Sequence, residues 1–129
     1  MMKSLKVLLV DDDVDFLFQQ RLNLEQLDCV VLEATSVKQA LAMVEKDRPD
    51  VAIIDLMMDQ MDDGFVLAHH MKKMRPGMPV IMTTAVTQVT GYQFTKSDVS
   101  DNGWIKADVI LSKPVRFEQL KAEFQKLGL

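Results

Sequence analysis

The chain has 129 residues, of which 48% are apolar and 26% are charged, values typical of one globular domain and not of a disordered tail. The formal net charge of −4 argues against a protein that coats nucleic acid, and the single cysteine excludes an internal disulfide framework and favours a reducing compartment such as the cytoplasm. We expect no membrane span, because no apolar run approaches about 20 residues. We also expect no signal peptide, because the start leads into only four apolar residues, 7–10, and then acid.

Five short apolar runs predict strands that are buried on both faces, as in a parallel sheet. In chain order they are residues 7–10, 30–32, 51–54, 80–82 and 109–111. Segments of helical period follow these runs. In the first, apolar residues recur at 14, 17, 18, 22 and 24. Ser36 is placed to cap the second, and the last has apolar residues at 117, 120, 124 and 127. Residues 86–108 predict a helix or helical fragments with a loop.

The repeated order of strand and helix predicts an α/β fold with a doubly wound, five-stranded parallel sheet and helices on both faces. We expect residues 1–129 to form this single domain, since five such units use the whole length. Ligands of these sheets bind outside the carboxyl ends of the strands. Residues that directly follow the strands are therefore expected to converge on one edge.

Aspartates are concentrated in two short segments, both free of nearby lysine and arginine. Eight of the 19 acids fall there: Asp11, Asp12, Asp13, Asp15, Asp55, Asp59, Asp62 and Asp63. We interpret Asp13 and Asp15 as acids that favour a helix start and not as metal ligands.

The expected strand ends bring together three carboxylates, from Asp11, Asp12 and Asp55, with Thr84 and Lys113. Close carboxylates repel each other, and a divalent cation that prefers oxygen ligands, such as Mg²⁺, relieves the repulsion. With the lysine ammonium and the threonine hydroxyl, the group forms a cradle for a phosphoryl group. Asp55 is the best candidate for a nucleophile, because it stands alone at the end of a central strand.

At four strand ends the residues match known motifs: Val10-Asp11-Asp12, Asp55-Leu56-Met57-Met58, Thr84-Ala85 and Lys113-Pro114. In this order they resemble the receiver domain of two-component response regulators, and the resemblance covers essentially the whole chain. It implies a chemotaxis-regulator-like, flavodoxin-like sheet of strand order 2-1-3-4-5. It also implies a signalling domain, without an attached output domain, that supports its own phosphoryl transfer and dephosphorylation.

The resemblance assigns a role to each matching residue. Asp55 is expected to accept phosphate from a histidine kinase or phosphotransfer protein. The implied Mg²⁺ ligands are Asp55, Asp12, Asp11 through water, and the backbone carbonyl of Met57. Thr84 is expected to contact the phosphoryl oxygen and to shift on activation. Lys113 is expected to pair with the phosphoryl group, and the Lys113-Pro114 peptide bond is usually cis in the family. The downstream partner is an unknown protein, without direct binding to nucleic acid or membrane.

Three features depart from the family pattern. Asp59 stands where a proline is usual, and Gly64 comes nine residues after Asp55, one residue later than usual. Ile110 occupies the switch position, where the family has a tyrosine or phenylalanine. Thr84 and Lys113 are 29 residues apart, so the fourth crossover is enlarged.

Two other functions stay open at this point. A degenerate receiver that docks without phosphorylation is favoured by Ile110 and Asp59 but opposed by the intact motifs. A small Mg²⁺-dependent phosphatase with an aspartyl nucleophile is favoured by two acids, Asp11 and Asp13, spaced two residues apart after a first strand. The late strand opposes it, since Lys113-Pro114 stands where such enzymes have further acids.

Overall fold

The computed structural model describes residues 4–56, 63–84, 107–113 and 115–129. These residues contain five strands and four helices: β1 (Lys6–Val10), α1 (Val14–Gln26), β2 (Val30–Ala34), α2 (Val37–Asp47), β3 (Val51–Asp55), α3 (Asp63–Met74), β4 (Val80–Thr84), β5 (Val109–Ser112) and α4 (Phe117–Lys126). The predictions for the crossover at 86–106, and those for Met57, Asp59 and Pro114, lie outside the described residues. None of the described helices has the length and apolar character needed to cross a membrane.

All strand pairs are parallel, and the sheet order is β2-β1-β3-β4-β5. This arrangement confirms the predicted doubly wound sheet. β2 lies on one side of β1, and β3 and the later strands lie on the other. The carboxyl ends of β1 and β3 are therefore side by side, at the point where the strand order reverses. The residues that follow these two strands therefore meet at the same edge.

The core lies on both faces of the sheet. Alternate residues of a strand point to opposite faces, so Val7 and Leu9 of β1 pack with Leu17 of α1 and Phe124 of α4. Their neighbours Leu8 and Val10 join the cluster under α2 and α3. All residues of β3 and β4 are buried, the apolar runs 51–54 and 80–82 as predicted and also the polar residues Asp55, Thr83 and Thr84 at the strand ends.

Helix α1 begins as predicted, but its buried face differs from the apolar pattern. Leu17, Gln20 and Leu24 are buried, whereas Phe18 is 61% exposed. The other exposed apolar residues of the helix are Val14 and Leu22. The line that contacts the sheet runs through positions 17, 20 and 24, and positions 14, 18 and 22 form a parallel line one residue further round the helix.

The predicted helix starts at Asp13 and Ser36 are confirmed. The Asp13 carboxylate accepts hydrogen bonds from the backbone N–H groups of Asp15 (3.0 Å) and Phe16 (3.4 Å). The Ser36 hydroxyl accepts one from the N–H of Gln39 at 3.2 Å. Each acceptor satisfies donors that have no partner within the first turn of a helix.

Asp108 fixes the start of β5 against its neighbours. Its Oδ2 accepts hydrogen bonds from the Val80 backbone N–H and the Lys72 ammonium, both at 2.8 Å. The same ammonium also donates to the Met78 carbonyl at 2.8 Å. These contacts connect α3, β4 and the start of β5.

Gly64 lies against the backbone that carries Asp55. Its N–H donates to the Leu56 carbonyl at 2.9 Å, and a Cβ added to it would lie 2.5 Å from the carbonyl oxygens of Asp55 and Leu56. A contact of that length is not tolerated, so the first turn of α3 requires glycine here for close approach and not for a special backbone angle.

We predict that Gly64→Ala lowers the free energy of unfolding by about 1–3 kcal/mol, because the methyl group must displace buried backbone. Gly77→Ala is the matched control, since a Cβ at Gly77 has no atom within 4 Å. Urea denaturation of both variants measures the difference. A Gly64→Ala protein as stable as the Gly77→Ala protein would contradict the close approach.

Candidate functional site

Three carboxylates meet at the carboxyl edge of the sheet. Asp11 directly follows β1, Asp55 ends β3, and Asp12 lies in the turn before α1. One carboxylate oxygen from each lies within 4.8 Å of the other two. Asp11 and Asp55 are buried, whereas Asp12 is exposed. The predicted convergence is therefore present, and one member of the group faces solvent.

Lys113 supplies the positive charge of the site. Its Nζ donates to Asp11 Oδ2 at 2.8 Å and lies 3.5 Å from Asp55 Oδ1. Burial of the ammonium lowers the pKa of Lys113, but the hydrogen bond and charge of Asp11, with the charge of Asp55, outweigh burial and raise it above its ordinary value. The ammonium is consequently charged at neutral pH and offsets part of the repulsion between the acids.

The backbone holds both partners of this ion pair. The Asp11 N–H donates to the Ala34 carbonyl at 3.1 Å, and Asp11 Oδ1 accepts from the Asp13 N–H at 2.9 Å. The Lys113 N–H donates to the Thr84 carbonyl at 2.8 Å, which extends the pairing of β4 and β5 by one residue. Asp11 and Lys113, the first residues after β1 and β5, are therefore each held by a backbone hydrogen bond to a neighbouring strand.

Thr84 is buried at the end of β4, one strand away from Asp55. Ile110, at the predicted switch position, is partly buried and packs with the core cluster under α2 and α3. It pairs with Met82 in the sheet and is separated from the three carboxylates by the rest of β5. The structure thus brings Asp11, Asp12, Asp55 and Lys113 together and leaves Ile110 in the core.

Two residues of α1 have contacts that the sequence did not predict, Phe16 with Lys113 of the site and Gln20 with Val115 just beyond it. The Phe16 ring lies under Lys113, with Nζ 4.3 Å from the ring centroid. The Gln20 amide donates through Nε2 to the Val115 carbonyl at 3.0 Å. The signal in the sequence is their spacing of four residues, which places them on the same side of a helix.

This arrangement suits an anion that arrives with a metal ion. Carboxylate oxygens are ligands that Mg²⁺ prefers, and the exposed Asp12 leaves room for the several waters that Mg²⁺ retains. The Lys113 ammonium offers a compact positive charge beside the Asp55 carboxylate. Together these groups can neutralise phosphoryl oxygens while Asp55 approaches phosphorus.

The chain is similar to known signalling proteins over nearly its whole length. Residues 7–125 match the family model described as the response regulator receiver domain. The transcriptional regulatory protein GlrR of Escherichia coli K12 is 40% identical over 83 residues, which are 64% of this chain and 18% of that protein. The probable transcriptional regulator ycf27 of Porphyridium aerugineum is 27% identical over 126 residues, covering 96% of this chain and 48% of that protein. The chain thus spans less than half the length of these two curated relatives.

Solved structures resemble the whole fold. A CheY-like receiver domain protein from Methanospirillum hungatei JF-1 has a TM-score of 0.80 at 29% identity, covering 98% of this chain and 95% of its own. The chemotaxis protein CheY4 of Vibrio cholerae has a TM-score of 0.79 at 28% identity, covering 97% of this chain and 99% of its own.

We predict that Lys113→Met lowers the free energy of unfolding by about 1–3 kcal/mol in Mg²⁺-free buffer, because it leaves the carboxylates without their ammonium partner. The control is Lys126→Met, whose side chain is 73% exposed and pairs with Glu123 at 3.5 Å. That change is expected to stay within about 0.5 kcal/mol of the parent. Equal urea midpoints for the two variants would contradict the importance of the Lys113 pair.

Proposed function

Because the chain belongs to the response regulator receiver family, we propose that it accepts a phosphoryl group on Asp55, beside bound Mg²⁺, and signals through a changed surface. The observation that carries the proposal is the position of the Lys113 ammonium, 2.8 Å from Asp11 and 3.5 Å from Asp55. A lysine with only a structural role needs one carboxylate partner. Here it lies between two, in a site that a third carboxylate leaves net negative.

In the proposed step, an oxygen of the Asp55 carboxylate attacks the phosphorus of a phosphohistidine on the donor. An O–P bond forms, the N–P bond breaks, and its electron pair returns to the donor imidazole, which leaves an acyl phosphate on Asp55. Lys113 exchanges part of its interaction with Asp55 for a phosphoryl oxygen. Thr84, at the end of the neighbouring strand, donates its hydroxyl to another.

The donor atoms of the site fit a magnesium ion. We propose that Asp12 and Asp55 bind it directly, Asp11 through water, and Met57 through its backbone carbonyl. The support is the approach of three carboxylate oxygens within 4.8 Å, with one of the acids open to solvent. When bound, Mg²⁺ supplies charge that neutralises the acids and the phosphoryl oxygens.

The proposed output is a shift between two conformations that phosphate biases. Thr84 is the residue we expect to move, because it is buried beside Asp55 and its hydroxyl is proposed to donate to the phosphoryl group. Ile110 has neither a ring nor a hydroxyl and packs in the core under α3. The changed surface is therefore expected to form without the aromatic switch that is usual in the family.

The proposed donor is a histidine kinase or phosphotransfer protein, and the proposed target is another protein. We place both interactions in the cytoplasm. The support is the single cysteine, Cys29, whose buried thiol is free, because free thiols are typical of a compartment that keeps cysteines reduced.

We predict that incubation with Mg²⁺ and acetyl phosphate adds the mass of one phosphoryl group, that the adduct is stable to acid and labile to base, and that Asp55→Asn abolishes it. Asp15→Asn, which removes an exposed carboxylate of α1 close to the site, is the control that keeps the adduct. Mass spectrometry of peptides locates the group.

The other outcomes identify other functions. No adduct from acetyl phosphate or from a kinase favours a docking module that works without phosphorylation. Repeated turnover of phosphomonoesters that survives Asp55→Asn favours a hydrolase. Either result would contradict the proposed function.

We predict that Asp12→Asn weakens Mg²⁺ binding by roughly tenfold or more, because it removes a charged ligand. Asp15→Asn makes the same charge change nearby and is expected to keep the affinity within about twofold. The dependence of the urea midpoint on Mg²⁺ concentration measures both affinities, since binding to the folded state alone raises its stability. Equal affinities in the two variants would remove Asp12 from the metal site.

A further inference from the structure

Helix α1 contacts the loop after β5 at two points that lie one helical turn apart. The Phe16 ring faces the Lys113 ammonium, with 4.3 Å between Nζ and the ring centroid. One turn later, Gln20 Nε2 donates to the Val115 carbonyl at 3.0 Å. The loop residues that α1 contacts are therefore the lysine of the site and the residue two positions beyond it.

Gln20 is an unusual residue for its environment. It is 2% exposed, on the line of α1 that otherwise carries Leu17 and Leu24. Its Nε2 is satisfied by Val115, but its Oε1 has no hydrogen-bond partner among the described residues. A buried acceptor without a partner is unfavourable, so an apolar side chain of similar length would serve packing better. A role beyond packing explains why an amide stands here.

We propose that Phe16 and Gln20 form a clamp that positions Lys113 for the incoming phosphoryl group. This inference rests on the proposed function. Both are positioning residues, since each acts through the lysine or its loop and not on the reacting atoms. Gln20 holds the backbone of the loop from the α1 side, while the 2.8 Å bond from the Lys113 N–H to Thr84 holds it from the sheet side.

The chemistry of the ring explains how the lysine changes partner. In the described state its ammonium donates to Asp11 Oδ2, and after transfer it must reach an oxygen on Asp55. A cation is attracted to the whole face of an aromatic ring and not to one atom. Phe16 can therefore continue to stabilise the ammonium while Nζ turns from Asp11 to the phosphoryl group. The ring also covers the lysine, whose side chain is only 19% exposed.

The first test compares phosphorylation rates with acetyl phosphate and Mg²⁺. Phe16→Leu keeps an apolar side chain but removes the ring face, and we expect a rate lower by roughly three- to thirtyfold. Phe16→Tyr keeps the ring and is expected to stay within about threefold of the parent. In a Lys113→Met background, Phe16→Leu is expected to have an effect below about twofold. A parent-like rate in Phe16→Leu, or the same loss in both backgrounds, would overturn the clamp.

The second test uses Gln20→Met, which has a similar length but lacks the amide. The change removes the unpartnered oxygen, which favours the folded state, and also removes the donor to the Val115 carbonyl, which opposes it. We therefore expect the urea midpoint to stay near that of the parent while the phosphorylation rate falls by roughly threefold or more. A fall in rate without a comparable loss of stability separates positioning from packing, and a variant that keeps the parent rate would contradict the role of Gln20.

A third measurement separates this inference from the proposed function. A double-mutant cycle of Phe16→Leu and Lys113→Met on urea unfolding, without Mg²⁺ or a phosphoryl donor, tests the contact itself. If the parent takes up no phosphate, the proposed function fails, and this cycle alone tests the contact between Phe16 and Lys113. Additive effects of the two changes would overturn the clamp, and coupling between them supports it.

Discussion

The structure of the site depends on one ammonium group that lies between two buried carboxylates. Lys113 contacts Asp11 at 2.8 Å and lies 3.5 Å from Asp55, and the two acids come from adjacent strands whose ends cannot separate. Without a cation, their repulsion would oppose the register of the sheet. The Asp108 contacts hold the start of β5 against β4, and the Lys113–Thr84 hydrogen bond holds the backbone that carries this ammonium.

Lys113 neutralises only part of the negative charge of the three carboxylates, and the proposed function requires the negative charge that remains. Three carboxylates and one ammonium leave a formal charge of −2, equal and opposite to that of one Mg²⁺ ion. A site that Lys113 neutralised fully would have little affinity for a divalent cation. A site without the lysine would lack a positive charge to pair with the phosphoryl group on Asp55. The proposed chemistry therefore uses the same ammonium that stabilises the resting protein.

The sequence predicts the sheet and the meeting of Asp11, Asp55 and Lys113 because both follow from topology: apolar runs define the strands, and the ends of parallel strands share an edge. The contacts of Phe16 and Gln20 depend on which side of α1 faces the sheet. The apolar residues of the helix do not indicate that side correctly. Phe18 belongs to the apolar pattern but is exposed, whereas Gln20 is polar and buried. The close approach at Gly64 is likewise a backbone distance that no residue pattern states.

A crystal structure with Mg²⁺ and beryllofluoride, a mimic of the phosphoryl group, tests the central claim most directly. The predicted result is beryllofluoride bound to an Asp55 carboxylate oxygen, with Lys113 Nζ within hydrogen-bond distance of a fluoride and still over the Phe16 ring. An Asp55 carboxylate without the mimic, or a Lys113 ammonium that pairs only with Asp11 while the mimic is bound, would contradict the account.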